Sequence, residues 1–344
     1  MKTYDQPNGT KNGMKNATAK WMCCVIAQIV LAAGCSPSGS FKITAVPTDQ
    51  TLKERIVFRE SGWVSDRIAL IDISGILINA TEEKLFADGE HIVSLVVEQL
   101  DAAAADPRVK AVVLRINSPG GTVTASDILY EEILAFKART GKPVIAYFQD
   151  VAASGAYYLA CAADEIIAQR TTVTGSIGVI LLMVNMSGTL DFLRIETDAI
   201  TSGPFKDSGS PFRKMRKAER DVFQSLVDGF YEQFVTVVEA GRGNLTREEV
   251  LTLADGRVYN AEQALSAGLI DRIGTLRLAI RAAKNRASIE RAHTVIYHRP
   301  LAWKPNIYAS SPAQTAANIS LLHVDFAKSW TSGPEFMYIW NIGR

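Results

Sequence analysis

The chain has 344 residues, with 37 basic against 36 acidic side chains and 47% hydrophobic ones. The even charge balance excludes the strongly basic face of a nucleic-acid binder, and the apolar fraction is that of a folded chain with room for one large or two small domains. Of the four cysteines, Cys23, Cys24 and Cys35 lie in the N-terminal segment and Cys161 in the body. No CxxC spacing suggests a metal, no pair remains in the body for a disulfide, and Cys161 reads as a buried, inert thiol.

Residues 1–20 carry Lys2, Lys11, Lys15 and Lys20 against one acid, Asp5. An apolar run from Trp21 to Gly34 follows, broken only by Gln28 and ending in Leu31-Ala32-Ala33-Gly34-Cys35-Ser36. A basic region, a short apolar stretch and small residues before a cut describe a secretory signal. The run falls short of the ~20 residues that cross a bilayer comfortably. Its end resembles the bacterial lipoprotein cleavage box, in which the cysteine, here Cys35, is lipidated and becomes the new N-terminus. Ala32 stands where that box favours leucine. An uncleaved anchor is the other reading, and Met14 is a second possible start. Either way the body is expected outside the cytoplasm and close to a membrane. The expected divisions are a signal segment over 1–35, a tether over 36–62 that opens on Gly, Ser and Pro, a body over 63–290, and a C-terminal arm over 291–344.

In the body, the apolar run 67–73 stops at Ser74-Gly75 and predicts a buried strand. Ile92, Val93, Leu95, Val96, Val97 and Leu100 recur at helical spacing, and that helix is expected to end near Asp106-Pro107. Strands are predicted over 110–116, 144–148 and 165–168, with an amphipathic helix over 126–137. Strand alternating with helix is the mark of parallel βαβ units. In such sheets the working residues gather in loops at the carboxyl ends of strands. The loop Asn117-Ser118-Pro119-Gly120-Gly121 and the turn Asp150-Val151-Ala152-Ala153-Ser154 are therefore expected side by side. A long helix is predicted over 213–238, although its basic start, Arg213-Lys214-Met215-Arg216-Lys217, opposes the helix dipole. Two shorter helices follow over 246–253 and 260–268, with Thr246 and Asn260 as caps. From about 295 the chain has four prolines, Pro300, Pro305, Pro312 and Pro334, little periodicity, and a terminal aromatic cluster of Phe336, Tyr338 and Trp340.

The four histidines, His91, His293, His298 and His323, all fall outside 110–268. A serine hydrolase built on the body therefore needs another base. Lys206, in Ser202-Gly203-Pro204-Phe205-Lys206-Asp207, can serve if it is buried, because desolvation favours the neutral amine. The adjacent Asp207 would act against this if it faced the amine. Taken alone, Lys206 is also an ordinary surface lysine. Ser154 sits among Ala152, Ala153, Gly155 and Ala156, small neighbours that admit a substrate backbone, at a helix start that favours developing negative charge. Taken alone, it is also an N-cap. Gly120 and Gly121 follow a proline in a turn, so their N–H groups can form an oxyanion hole, or simply a turn. Ser176, in Thr174-Gly175-Ser176-Ile177-Gly178, could hydrogen-bond the lysine amine.

These motifs, in this order between Arg67 and Gly274, resemble the signal peptide peptidase A family, also called protease IV. The stretch Ala261-Glu262-Gln263-Ala264-Leu265-Ser266-Ala267-Gly268-Leu269-Ile270-Asp271 also fits. The resemblance implies an α/β, ClpP/crotonase-like fold and a serine endopeptidase with no cofactor. It implies Ser154 as nucleophile, Lys206 as general base, Gly120 and Gly121 as the oxyanion loop, and Ser176 as the lysine's orienting partner. It further implies hydrophobic peptide substrates, remnant signal peptides among them, and a homo-oligomeric ring whose sites combine serine and lysine from neighbouring subunits. The departure is at the front, where a cysteine suited to lipidation replaces a transmembrane anchor. A crotonase-like acyl-CoA enzyme and a non-catalytic lipoprotein scaffold are the alternatives, the former disfavoured because coenzyme A is cytoplasmic.

Overall fold

The computed structural model describes residues 51–79, 83–84, 87–88, 91–299 and 336–340. The signal segment, Cys35 and Met14 lie outside the described residues, as do the first part of the tether and most of the arm.

The core is a mostly parallel sheet. Its strands are β1 (Lys53–Phe58), β2 (Arg67–Ser74), β5 (Val109–Ser118), β7 (Val144–Ala153), β8 (Glu165–Ala168), β12 (Arg272–Ile273) and β13 (His293–His298). They lie in the order β1-β13-β2-β5-β7-β8-β12, with β1 antiparallel at the edge. β9 (Val173–Gly175) adds parallel to the end of β7, and β11 (Val258–Asn260) pairs with β9. A two-residue hairpin, β3 (Glu83–Lys84) with β4 (Ala87–Asp88), stands apart.

Both faces of this sheet are covered, which is why β2, β5 and β7 read as continuous apolar runs. Ala69, Ile71 and Ile73 of β2, Val112, Leu114 and Ile116 of β5, and Val144, Ala146 and Phe148 of β7 share one face. That face packs on α1 (Ile92–Ala105), α2 (Val123–Thr140), α3 (Gly155–Ala160) and the second half of α5 (Lys217–Gly241). The intervening residues Ile68, Leu70, Ala111, Val113, Ile145 and Tyr147 meet α8 (Leu276–Arg286) on the other face. Each fully buried aliphatic side chain contributes roughly 1.5–3 kcal/mol. Asp72 and Arg115, paired across β2 and β5, form an ion pair at 2.6 Å with the guanidinium only 1% exposed.

Several local expectations reappear. α1 ends at Asp106, whose successor is proline. Thr246 caps α6 (Arg247–Leu253) and Asn260 caps α7 (Ala261–Ser266), each through a reciprocal capping box with the residue three positions on. Cys161 is buried, and burial pushes its thiol up to about 12, in keeping with an inert group. The sheet, however, extends beyond the expected 63–290 body. β1 falls within the expected tether and β13 within the expected arm, because the edge of β2 needs a partner: β13 takes that edge and β1 covers β13 in turn.

The long helix also starts later than expected, at Lys217. Arg213 and Arg216 turn back instead. They bind the buried Glu219 carboxylate, Arg213 at 2.5 and 2.9 Å, so the basic run answers a charge inside the first turn. A second, three-stranded sheet takes in β10 (Ile180–Leu181), β14 (Phe336–Ile339) and β6 (Gly120–Thr122), in the order β10-β14-β6. Among the described residues no helix is long and apolar enough to cross a membrane. α4 (Ser187–Leu193) lies in the segment leading to α5.

Candidate active site

β5 and β7 are parallel neighbours, and their carboxyl ends meet with Ser118 opposite Ala152. The loop at 117–121 and the turn into Ser154 are thus side by side, as expected. Asn117 ties them together: its Oδ1 accepts from Val151 N–H at 3.2 Å, and its amide reaches Asp150 at 3.4 Å.

Ser154 is 2% exposed and sits between β7 and α3 with φ 55° and ψ −119°. This is a sparsely populated region for an L residue, with a cost of about 1–3 kcal/mol. Its hydroxyl makes no cap hydrogen bond to α3, which sets aside the plain helix-cap account. The strained turn is fixed by the Ser154 N–H donating to Gly175 O at 2.7 Å and by Tyr158 N–H donating to Ser154 O at 2.9 Å. A serine on a tight strand-to-helix turn is the arrangement that exposes a nucleophilic Oγ above a sheet.

Ser176 is brought to the same place. β9 pairs with β7 so that Gly175 faces Ala153, which makes Ser154 and Ser176 the next residues along two adjacent parallel strands. Ser176 is also left-handed, at φ 52°, and is buried.

Gly120 and Gly121 differ in role. Gly120 donates its N–H to Ser118 Oγ at 3.1 Å, so that hydrogen is already engaged. The flanking Gly120 O and Thr122 N–H are both bound by Leu77, at 2.9 and 2.8 Å. Gly121 therefore turns its own N–H and C=O toward the opposite edge. What Gly120 provides is space: a Cβ there would stand 2.7 Å from Gly155 N and 3.0 Å from Ala153 O. Gly155 was read from sequence only as a small neighbour. The signal that singles it out is its position directly after Ser154, which brings its backbone nitrogen to 2.7 Å from the point where a Gly120 Cβ would stand.

Lys206 is not gathered into this group. It is exposed, in the loop between α4 and α5, and among the described residues its side chain makes no hydrogen bond or ion pair. Asp207 does not face it. That carboxylate is held by Arg213 at 2.6 Å and Arg216 at 3.2 Å, while Arg213 also donates to the Asp207 carbonyl at 3.0 Å. The Asp207–Arg213–Arg216–Glu219 network thus staples the Lys206 loop to the start of α5.

The network carries a pH dependence. Hydrogen bonding from Arg213 holds the Glu219 carboxyl far below the usual glutamate value of 4.5, and holds Asp207 below its own ordinary value. A carboxyl lowered by folding stabilises the fold above its unfolded value, and that contribution is lost as pH falls through the folded one. Amide protection over 203–216, corrected for the intrinsic exchange rate, is therefore expected to fall progressively as pH drops below about 4.5. Glu219→Gln is expected to show the fast-exchange pattern already at pH 7. Unchanged exchange in the variant at pH 7 would remove the staple.

The histidines are engaged elsewhere. His91 Nδ1 accepts from Ser94 N–H as the α1 cap, and His293 Nδ1 accepts from Glu60 N–H beside the amino end of β2, opposite to Ser154. His323 lies outside the described residues.

A parallel sheet with a strained serine at a strand's carboxyl end and glycine N–H groups beside it defines a serine peptidase of the ClpP-like class, and the Clp protease family model matches residues 76–182. The model for Peptidase family S49 matches residues 136–290. An Enterococcus faecium protein named for signal peptide peptidase SppA is 34% identical over 250 residues, covering 73% of this chain and 70% of its own. Protease 4 of Haemophilus influenzae is 31% identical over 240 residues, 70% of this chain and 38% of that longer one. The chloroplastic serine protease SPPA of Arabidopsis thaliana is 34% identical over 226 residues, 65% of this chain and 33% of its own. The chain belongs to peptidase family S49, the signal peptide peptidase A family.

Proposed function

We propose that this serine peptidase is a membrane-associated endopeptidase with a Ser154/Lys206 dyad, acting on hydrophobic peptides such as remnant signal peptides. The observation that carries the nucleophile is Ser154 itself: buried, held at φ 55°, and not spent on capping its helix. The Ser154 hydroxyl attacks the scissile carbonyl while Lys206 takes its proton. The N–H groups of Gly121 and Gly155 face the developing oxyanion. Lys206 then protonates the leaving amine and activates the water that frees the acyl group. Ser176, beside Ser154, orients the lysine amine.

In this reading Lys206 reaches the site from a neighbouring copy. Its exposure on its own chain supports that, as does an apolar flank with Leu182, Val184, Phe192, Ile200 and Phe205 all at least half exposed. Apolar surface of this extent marks a contact with another protein surface. A lysine acts as base only when desolvated, and a contact between copies supplies the burial. Lipidation at Cys35, or an uncleaved anchor, holds the body at a membrane of the bacterial envelope, outside the cytoplasm.

A serine-directed fluorophosphonate is expected to label the wild-type chain at Ser154 and to leave Ser154→Ala unlabelled, while coenzyme A thioesters do not compete. Equal labelling of the variant would eliminate Ser154 as nucleophile. Competition by thioesters would favour the acyl-CoA alternative, and a wild-type chain that takes no label would favour the scaffold.

A further inference from the structure

α8 carries cations along one face. Arg277, Arg281 and Lys284 lie four and then three residues apart, the spacing that stacks side chains on a helix. Like charges at that spacing repel. No acid sits in the first turn to offset them, and the positive end of the helix dipole adds to Arg277. Lys284 is answered by Glu60 at 2.6 Å. Arg277 lies over the Phe58 ring, 5.3 Å from its centroid. Among the described residues neither Arg277 nor Arg281 has a carboxylate partner. These three cations, with Glu60, Phe58 and Ile280, line a cavity of about 210 Å³. One carboxylate among three cations leaves the cavity positive, over an apolar floor.

β1 supplies Phe58 to this cavity and leads directly to Glu60. It runs antiparallel to β13, from His298 to Thr294, and so carries the chain toward the amino end of the parallel strands. Its six residues rise about 20 Å. The fifteen residues 36–50 span about 50 Å when fully extended. A chain held at Cys35 is therefore long enough to set this end of the sheet on the bilayer. Five residues beyond β1, Trp63 is fully exposed. The loop before it is pinned, because Glu60 N–H donates to His293 Nδ1 and Arg291 donates to Ser61 O, both at 3.2 Å. An indole, apolar in body and polar at its N–H, belongs at the headgroup level of a membrane. A free phosphate would use the cations and leave the indole and the apolar floor idle. A second copy in a two-fold contact would set the same cations against each other. An anionic phospholipid uses all three features.

We infer that the cavity between β1 and α8 takes the phosphate headgroup of an anionic phospholipid, and that the amino end of the sheet docks on the bilayer with Trp63 in its interface. The inference rests on the membrane-associated reading above and adds the docking surface and the lipid. The phosphate sits between Arg277 and Arg281, whose planar guanidinium groups suit its oxygens, and the glycerol carbons meet Phe58 and Ile280. Ser154 stands at the carboxyl end of β7, the other end of the sheet. Docking therefore turns the cleft away from the lipid, open to hydrophobic peptides drawn out of the bilayer.

Fluorescence of the full chain in vesicles tests this, with phosphatidylcholine alone or with about a third phosphatidylglycerol. The difference between wild type and Trp63→Phe isolates Trp63 from the other four tryptophans. Lipid brominated on the upper acyl chain is expected to quench that difference signal in the mixed vesicles and not in phosphatidylcholine, and raised salt to weaken the effect. Replacing both Arg277 and Arg281 by glutamine is expected to weaken docking about twenty-five-fold, at about fivefold per cation, while cleavage of a soluble peptide stays unchanged. Inorganic phosphate is the soluble arm: if it protects the amides of 276–284 from exchange and phosphatidylglycerol does not, the cavity takes free phosphate and the membrane contact is overturned. Protection that follows protein concentration and ignores lipid composition assigns the face to a second copy and overturns it too. A chain that stays with both kinds of vesicle, yet leaves Trp63 equally unquenched in each, overturns the inference and leaves the membrane-associated reading standing. A chain that stays with neither ends both.

Discussion

Ser154→Ala and Lys206→Ala are each expected to lower kcat/KM on a hydrophobic peptide by on the order of 10⁴-fold or more, because nucleophile and base act as a unit. Mixing the two inactive variants is expected to restore activity. If each site takes its serine from one copy and its lysine from the next around a closed ring, the interface is heterologous. In an equal mixture half the sites then have an intact serine and half of those an intact lysine, so about a quarter of the wild-type turnover per chain returns. A site completed within a single chain would return nothing, since every copy is defective. The exposure of Lys206 and its lack of a polar contact among the described residues motivate the shared arrangement. Exchange of differently tagged copies, followed by native mass spectrometry, establishes that mixed assemblies exist. Mixed assemblies without recovered turnover would sink the shared site.

What could be read in advance, and what could not, follows the range of the forces involved. The strands around 70, 114 and 146 were legible because burial on two faces demands unbroken apolar runs, and the caps Thr246 and Asn260 because their partners are three residues away. The closeness of residues 117–121 to Ser154 followed from parallel topology alone. The pairing of β1 with β13 was not legible, because an edge strand with mixed burial looks like tether and its partner lies more than 200 residues on. β14 was hidden for the same reason: Phe336, Met337, Tyr338 and Ile339 read as an aromatic cluster until the glycine edge they fit is seen. The basic run 213–217 looked misplaced against the helix dipole because its counter-charges, Asp207 and Glu219, meet it only once the loop folds back. The closeness of Gly155 N to Gly120 was missed since a glycine after serine reads first as room for substrate. Lys206 is the opposite case, a motif legible in the sequence that the fold of a single chain leaves exposed and outside the Ser154 group.

Gly120→Ala is expected to cost about 10²-fold in kcat, the effect of displacing the reacting group by about 1 Å, with no new group placed on Ser154. The methyl would stand 2.1 Å from the Tyr338 carbonyl oxygen and 2.7 Å from Gly155 N, so it fills the space a reacting carbonyl must enter. Two mechanisms compete as explanations for such a loss, because Gly120 also has φ +98°, where any L residue is strained. Gly141→Ala separates them. Gly141 caps α2 with φ +66°, and a Cβ there meets nothing within 4 Å. Both variants are expected to lose about 1 kcal/mol or more of stability through backbone strain, visible as a lower Tm. Only Gly120→Ala should lose turnover when both are assayed below their transitions. Equal loss of turnover in the two variants would mean that strain alone is responsible, and the oxyanion position at residues 120–121 would have to be given up.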